Sequence, residues 1–154
     1  MQYNVAFNIP TYTDDESTFP KPVIGNYDYW NALFEHFLKS SDTIEIHCWN
    51  EEIETISEIK SLYKNELEIV KGEIGENLTI FRWRKHSIVS DYLLNDYLNK
   101  IGEFKWFTVN LDKDKMSVFH SGHWGTEFFV PNALKSDVAL IKSVIPAETS
   151  FHQN

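Results

Sequence analysis

Two spacings of hydrophobic residues divide the first third of the chain into a strand, a helix and a second strand. The first apolar residues recur at every second position, which predicts a half-buried strand ended by Pro10: Tyr3, Val5, Phe7 and Ile9. Residues 10–26 keep no period and contain three prolines, so we expect a long loop there. Residues 27–39 carry apolar side chains at helical offsets: Trp30, Leu33, Phe34, Phe37 and Leu38. Residues 42–49 then alternate as a strand, with Cys48 and His47 on opposite faces.

The middle of the chain predicts a second helix, a hairpin and a third helix. Asn50 is a suitable N-cap, and the stripe of Ile53, Ile56 and Ile59 predicts a helix after it. Residues 67–70 and 78–84 resemble two strands joined by a turn at 72–77. Ser87 can cap a third helix that runs to Ile101, followed by Gly102 in the left-handed position.

The last third predicts three strands and a final helix. Residues 104–111 are apolar on both faces, which is typical of a covered central strand, and residues 112–115 form a turn into a strand over 116–120. A glycine-flanked loop at 121–125 precedes a short strand at 126–130 and a helix over 132–145. Residues 147–154 are predicted to be a flexible tail.

These elements predict the α+β fold class. We expect residues 1–154 to form one domain, with a single mixed, largely antiparallel sheet of about six or seven strands and four helices packed on it. At this length an ordinary core is enough for stability without disulfides. The only cysteine, Cys48, shares a strand face with Ile44 and Ile46 and is predicted to be a buried apolar side chain rather than a nucleophile. Its lone thiol favours a reducing compartment, and no stretch has the apolar length of a membrane span.

Charge adds an orientation to this picture. The net charge is −9, and residues 1–70 account for all of it, with 13 acidic and 4 basic residues, whereas residues 71–154 are balanced. An oriented negative field can attract a cationic partner, or the negative charge can serve only solubility. In either case it disfavours nucleic acid, whose binding requires Lys and Arg at phosphates. The composition therefore predicts a soluble, cytoplasmic protein that binds neither nucleic acid nor membrane.

The acidic stretch around the second helix is the leading candidate for a partner-binding surface. Residues 42–58 contain six acids and no Lys or Arg, and three of the acids share one helix face at offsets of 0, 3 and 7. The predicted contact residues are Glu45, Trp49, Glu51, Glu52, Glu54 and Glu58. The alternative is a solvated helix face whose first-turn acids favour the helix dipole.

The loop after the predicted strand at 116–120 is the alternative site. His120, His123, Trp124 and Glu127 combine two imidazoles, an indole and a carboxylate around two glycines. Three interpretations remain open: a tight turn anchored by Trp124, a protein-contact loop, and a catalytic or metal-binding site. Two histidines three residues apart are a weak metal motif, because zinc sites usually need three or four ligands.

A basic cluster, Arg82-Trp83-Arg84-Lys85-His86, contains both arginines of the chain. Arg82 and Arg84 share a strand face, where they can bind an anion, protect a sheet edge or pair with the acidic helix. A structural role is the favoured interpretation.

No phosphate-binding loop, dinucleotide fingerprint, zinc-protease motif or calcium loop is present, so no cofactor, metal or catalytic residue is predicted. The charge pattern instead predicts an acidic protein-binding module. Its size and charge are those of inhibitors and bacterial immunity proteins that neutralise a basic partner such as a nuclease toxin. A small enzyme or metal-binding protein centred on His120 and His123 is the alternative. A homo-oligomeric structural protein that associates through exposed aromatic side chains is a third possibility, and the sequence does not determine the oligomeric state.

Overall fold

A computed structural model of the protein describes residues 1–14, 19–71 and 77–154. Four helices are present in these ranges: α1 (Tyr29–Leu38), α2 (Ile53–Lys60), α3 (Ser87–Asn95) and α4 (Lys135–Val144). The first six strands are β1 (Tyr3–Asn8), β2 (Thr11–Tyr12), β3 (Lys21–Pro22), β4 (Thr43–Trp49), β5 (Glu68–Lys71) and β6 (Leu78–Arg84). The last four are β7 (Thr108–Lys113), β8 (Met116–Gly122), β9 (Glu127–Ala133) and β10 (Ser150–Gln153). The α+β class predicted from the sequence is confirmed.

Eight of the strands form one sheet in the order β10-β1-β9-β8-β7-β4-β6-β5. Every strand pair in it is antiparallel, so the predictions of a mixed sheet and of six or seven strands were wrong in detail. The additional strand is β10, which pairs with β1 where we expected a flexible tail. Its four residues, Ser150–Gln153, contain a single apolar side chain, so the sequence carries no alternating signal there. A separate two-stranded sheet, β2 with β3, lies within the predicted loop at 10–26.

One face of the large sheet is apolar and forms the core with the helices. Its inward side chains include Ile44, Ile46 and Cys48 of β4, all fully buried. Helix α1 packs on this face through ring contacts to β8, with Phe37 stacked on Phe119 at 5.2 Å between centroids. The largest fully buried side chains are aromatic, beginning with Trp30, Trp83 and Trp106, and large rings bury much apolar area. Among the described residues, no helix has the length and hydropathy needed to cross a membrane.

Helix α3 ends at Asn95, six residues before the predicted end at Ile101. The cause is a local turn around Asn99, whose side-chain oxygen accepts hydrogen bonds from the backbone N–H groups of Ile101 (3.0 Å) and Glu103 (2.9 Å). Such side-chain to backbone bonds compete with helix formation. The following strand therefore begins at Thr108 rather than at Phe104, which makes only an isolated bridge to Leu98.

Helix α2 begins at Ile53, with Glu52 rather than the predicted Asn50 at the N-cap position. Asn50 instead accepts a hydrogen bond from the Thr79 hydroxyl at 2.6 Å, which ties the end of β4 to β6. Ile59 is fully buried as predicted, but Ile53 is 71% exposed. The predicted turn at 72–77 lies mostly outside the described residues.

Candidate functional site

Residues from both candidate sites predicted by the sequence line one cleft, at the point where β4 ends and α2 begins. The cleft has a volume of about 600 Å³, within the range of ligand pockets. Seven residues line it: Phe19, Trp49, Glu51, Glu52, Phe107, His123 and Trp124. We call it the aromatic–acidic cleft. Trp49 and the two glutamates come from the acidic stretch, and His123 and Trp124 come from the loop between β8 and β9.

Aromatic rings in mutual contact form the walls of this cleft. The ring of Phe107 lies between two indoles, with centroids 4.9 Å from Trp49 and 4.8 Å from Trp124. Phe19 contacts the Trp124 ring at 4.3 Å. Trp49 and Trp124 are only partly buried, whereas Trp30, Trp83 and Trp106 are in the core. The two cleft indoles therefore present ring surface to a ligand.

A left-handed turn aims Trp124 into the cleft. His123, Trp124 and Gly125 all have positive φ, at 51°, 54° and 75°. The backbone N–H of Trp124 donates to the Phe107 carbonyl at 3.1 Å, and the Tyr29 hydroxyl donates to the Gly125 carbonyl. A side chain at position 125 would meet the Phe104 ring at 3.1 Å. Glycine is needed here for both conformation and space, which explains the unusual loop composition.

Glu52 is the partly buried carboxylate of the cleft. Its Oε1 accepts the backbone N–H of Trp49 at 2.8 Å, and its Oε2 accepts the indole N–H of Trp124 at 3.2 Å. Burial raises the pKa of this carboxyl, the nearby Glu51 raises it further, and the two N–H donors only partly offset these effects. Among the described residues, no Lys, Arg or His forms an ion pair with it. Glu52 is thus a partly desolvated carboxylate held by neutral donors, and a cation would stabilise it.

Glu51 and Glu54 are both exposed, but only Glu51 lies on the rim of the aromatic–acidic cleft. Glu51 lines the cleft and accepts a hydrogen bond from the Asn77 amide at 3.0 Å. Glu54 faces a different depression, which Lys105 and Asp96 also line. Of the three acids predicted to share a helix face, only Glu51 therefore contributes to the cleft.

Glu58 and Glu45 have partners within the chain. Glu58 accepts from the Lys105 ammonium and from the Tyr92 hydroxyl, both at 2.6 Å, so it joins α2 to α3. Glu45 lies on the second face of the sheet and accepts from the Arg82 guanidinium at 2.6 and 2.9 Å. Both carboxylates are already neutralised, which gives them a structural role. Arg82 pairs with Glu45 and Glu68 and not with the acidic helix.

The second face of the sheet carries a row of hydrogen-bonded polar side chains across adjacent strands. Glu45 accepts from His47 at 2.6 Å and from the Asn110 amide at 3.1 Å, and Asn110 in turn contacts Nδ1 of His120 at 2.6 Å. The His47 hydrogen bond is the main reason that the pKa of Glu45 falls to about 2, against the opposing effect of burial. Burial lowers the pKa of His120, with a further contribution from His47. This row links β6, β4, β7 and β8.

His120 therefore belongs to the polar row and not to the aromatic–acidic cleft. Within the loop, His123 lies 3.4 Å from Glu127, an exposed pair. In the described ranges, no group of three or more His, Cys, Asp or Glu side chains is arranged to hold a metal ion. Cys48 is buried, and burial strongly raises the pKa of its thiol, so it lacks the thiolate character of a nucleophile.

Sequence reasoning missed two aromatic walls of the cleft, Phe19 and Phe107. The sequence predicts Phe107 in a strand, but its position next to Trp49 depends on the pairing of β7 with β4, which the sequence pattern does not specify. Phe19 sits in the predicted loop at 10–26, which has no periodicity that would place its side chain. No protein-family profile, curated protein or solved structure matches this chain.

Proposed function

We propose that this protein is a binding module that docks a basic protein partner at the aromatic–acidic cleft. The observation that carries the proposal is Glu52, a carboxylate desolvated among aromatic rings with no ion-pair partner among the described residues. A carboxylate in this state favours a ligand that brings positive charge. The partly buried Trp49 and Trp124 supply the kind of ring surface that protein interfaces use as anchors.

Electrostatic steering supports the same partner chemistry. The net charge of −9 is concentrated in residues 1–70, and the cleft rim bears Glu51, with Glu54 farther along α2. Complementary charge raises the association rate and selects the partner more than it raises affinity. A protein of this kind fits the role of an inhibitor or immunity-type protein that neutralises a basic toxin such as a nuclease.

The test compares capture by three immobilised proteins from lysate of the native cell at low and high salt. Wild type is compared with Glu52→Gln and with the control Glu35→Gln, which changes an exposed helix glutamate outside the cleft. We expect a basic protein to be captured by wild type and by Glu35→Gln but not by Glu52→Gln. Equal capture by all three proteins, or capture of acidic proteins only, would overturn the proposal.

Association kinetics with the purified partner give a second readout. Converting Glu51 and Glu54 to Lys should slow association and flatten its dependence on salt, because both residues are exposed and act through the field. Glu58 is excluded from this variant because its change would also break the Lys105 pair. An association rate that changes neither with the charge reversal nor with the salt concentration would contradict electrostatic docking.

A further inference from the structure

We infer that the aromatic–acidic cleft recognises one arginine side chain, a conclusion that rests on the proposed function and names the partner group. The cleft offers flat aromatic walls beside two carboxylates, Glu51 and Glu52. A guanidinium is planar, always charged and rich in donors, so it matches both features of the cleft at once.

The walls favour a planar cation. Trp49, Phe107 and Trp124 meet at tilted and edge contacts of 4.8–4.9 Å, and the two indoles stay partly exposed. Arginine stacks its guanidinium on the face of such rings, and tryptophan is the best aromatic partner for a cation. An aliphatic side chain would gain the apolar contact but would leave the partly desolvated charge of Glu52 unpaired.

The carboxylates favour a forked donor over a point charge. Each oxygen of Glu52 already accepts one N–H group, from Trp49 and from Trp124, which fixes the orientation of the carboxylate. A carboxylate oxygen can accept a second hydrogen bond. Glu51 presents the neighbouring carboxylate, with one oxygen bound to Asn77. The five donors of a guanidinium can bind both carboxylates. A lysine ammonium is compact and strongly hydrated, so it loses more hydration free energy on entering aromatic surroundings.

The experiment uses three small amides as probes: N-acetyl-argininamide, N-acetyl-lysinamide and N-acetyl-citrullinamide, which is the uncharged isostere of the first. The readout is the set of indole N–H signals in ¹H–¹⁵N spectra of the full chain, assigned by single Trp→Phe variants. A lone side chain should bind in the range of about 1–10 mM, typical of few contacts. We expect the argininamide to shift the Trp49 and Trp124 signals but not those of the buried Trp30, Trp83 and Trp106.

Lysinamide should bind at least about threefold more weakly and citrullinamide should produce no saturable shift. Glu52→Gln should remove the argininamide response, and Glu35→Gln should retain it. Lysinamide binding as tightly as argininamide, or no shift at about 50 mM argininamide, would overturn the inference. If capture of a basic partner still depends on Glu52 in that case, docking stands and only the arginine assignment fails. If neither the capture of a basic partner nor the argininamide response depends on Glu52, both proposals fail.

Discussion

The indole N–H of Trp124 donates a 3.2 Å hydrogen bond to Oε2 of Glu52, 72 residues earlier in the chain. This bond joins the loop between β8 and β9 to the start of α2 and connects two residues that line the aromatic–acidic cleft. It also orients the carboxylate without neutralising it, because an indole is a neutral donor. The fold thus holds the Glu52 carboxylate in a position where burial disfavours its ionised form.

Glu52 should therefore limit stability. A carboxyl whose pKa is raised in the folded state is less stable when ionised there than in the unfolded chain, so its ionisation destabilises the fold at neutral pH. We expect Glu52→Gln to change the free energy of unfolding by no more than about 1 kcal/mol, as measured by urea denaturation at pH 7, because removal of the charge offsets the one N–H bond that an amide, with a single acceptor oxygen, cannot keep. A loss above about 2 kcal/mol, as for the removal of a structural hydrogen-bonded charge, would contradict this view of the site.

The left-handed turn at Gly125 should be intolerant of a side chain. Gly125→Ala places a Cβ 3.1 Å from the Phe104 ring at a φ of 75°, so strain and crowding add together. We expect a destabilisation of about 2–4 kcal/mol. Gly102→Ala is the matched control, because its φ is 82° but no atom lies within 4 Å of the added carbon. It should cost only about 1 kcal/mol; an equal cost at both positions would show that crowding against Phe104 is absent.

Glu58 should contribute to stability and Glu54 should not. Glu58→Ala removes the acceptor of both the Lys105 ammonium, which is 7% exposed, and the Tyr92 hydroxyl. We expect a loss of about 1–3 kcal/mol, because a mostly buried ammonium loses its Glu58 partner and keeps its ion pair with Asp96 and its contact with the Tyr92 ring. Glu54→Ala on the same helix should stay within about 0.5 kcal/mol of wild type. Thermal and urea denaturation of the two variants test this difference, which disappears if α2 is held by apolar contacts alone.

The polar row should make stability depend on acid pH through Glu45. Its pKa falls from 4.5 to about 2 on folding, so it stabilises the fold above pH 4.5, and that contribution is lost as the pH falls toward 2. The difference corresponds to about 3 kcal/mol at neutral pH. Subtracting the unfolding free energies of Glu45→Gln from those of wild type should isolate this dependence.

Glu68→Gln is the control for that series. Glu68 shares Arg82 with Glu45 but its side chain is 60% exposed, so solvent screens its ion pair. Its difference curve should be nearly flat over the same pH range. A Glu45 curve that is equally flat would mean that the Arg82 and His47 contacts do not stabilise the ionised carboxylate.

Sequence periodicity predicted the helices and most strands because each has one apolar face of its own. It predicted Cys48 as buried for the same reason. It failed where structure depends on partners distant in the chain: β10 has almost no apolar signal and exists through pairing with β1. The end of α3 was missed because the Asn99 side chain competes for backbone N–H groups.

The candidate site shows the same limit. Composition identified both the acidic stretch and the Trp124 loop, but not that they are adjacent, since the antiparallel order of β4, β7 and β8 decides this. Nor could spacing separate Glu58, which is paired with Lys105, from Glu52, which has no such partner among the described residues.

The carboxyl pKa of Glu52, measured by ¹³C NMR titration, tests the account most directly. We predict a value above the ordinary 4.5 in the free protein, because the group is desolvated beside Glu51, and a lower value when argininamide supplies a cation. A value at or below 4.5 in the free protein, unchanged by the probe, would show that Glu52 is solvated or already compensated and would contradict a cleft prepared for positive charge.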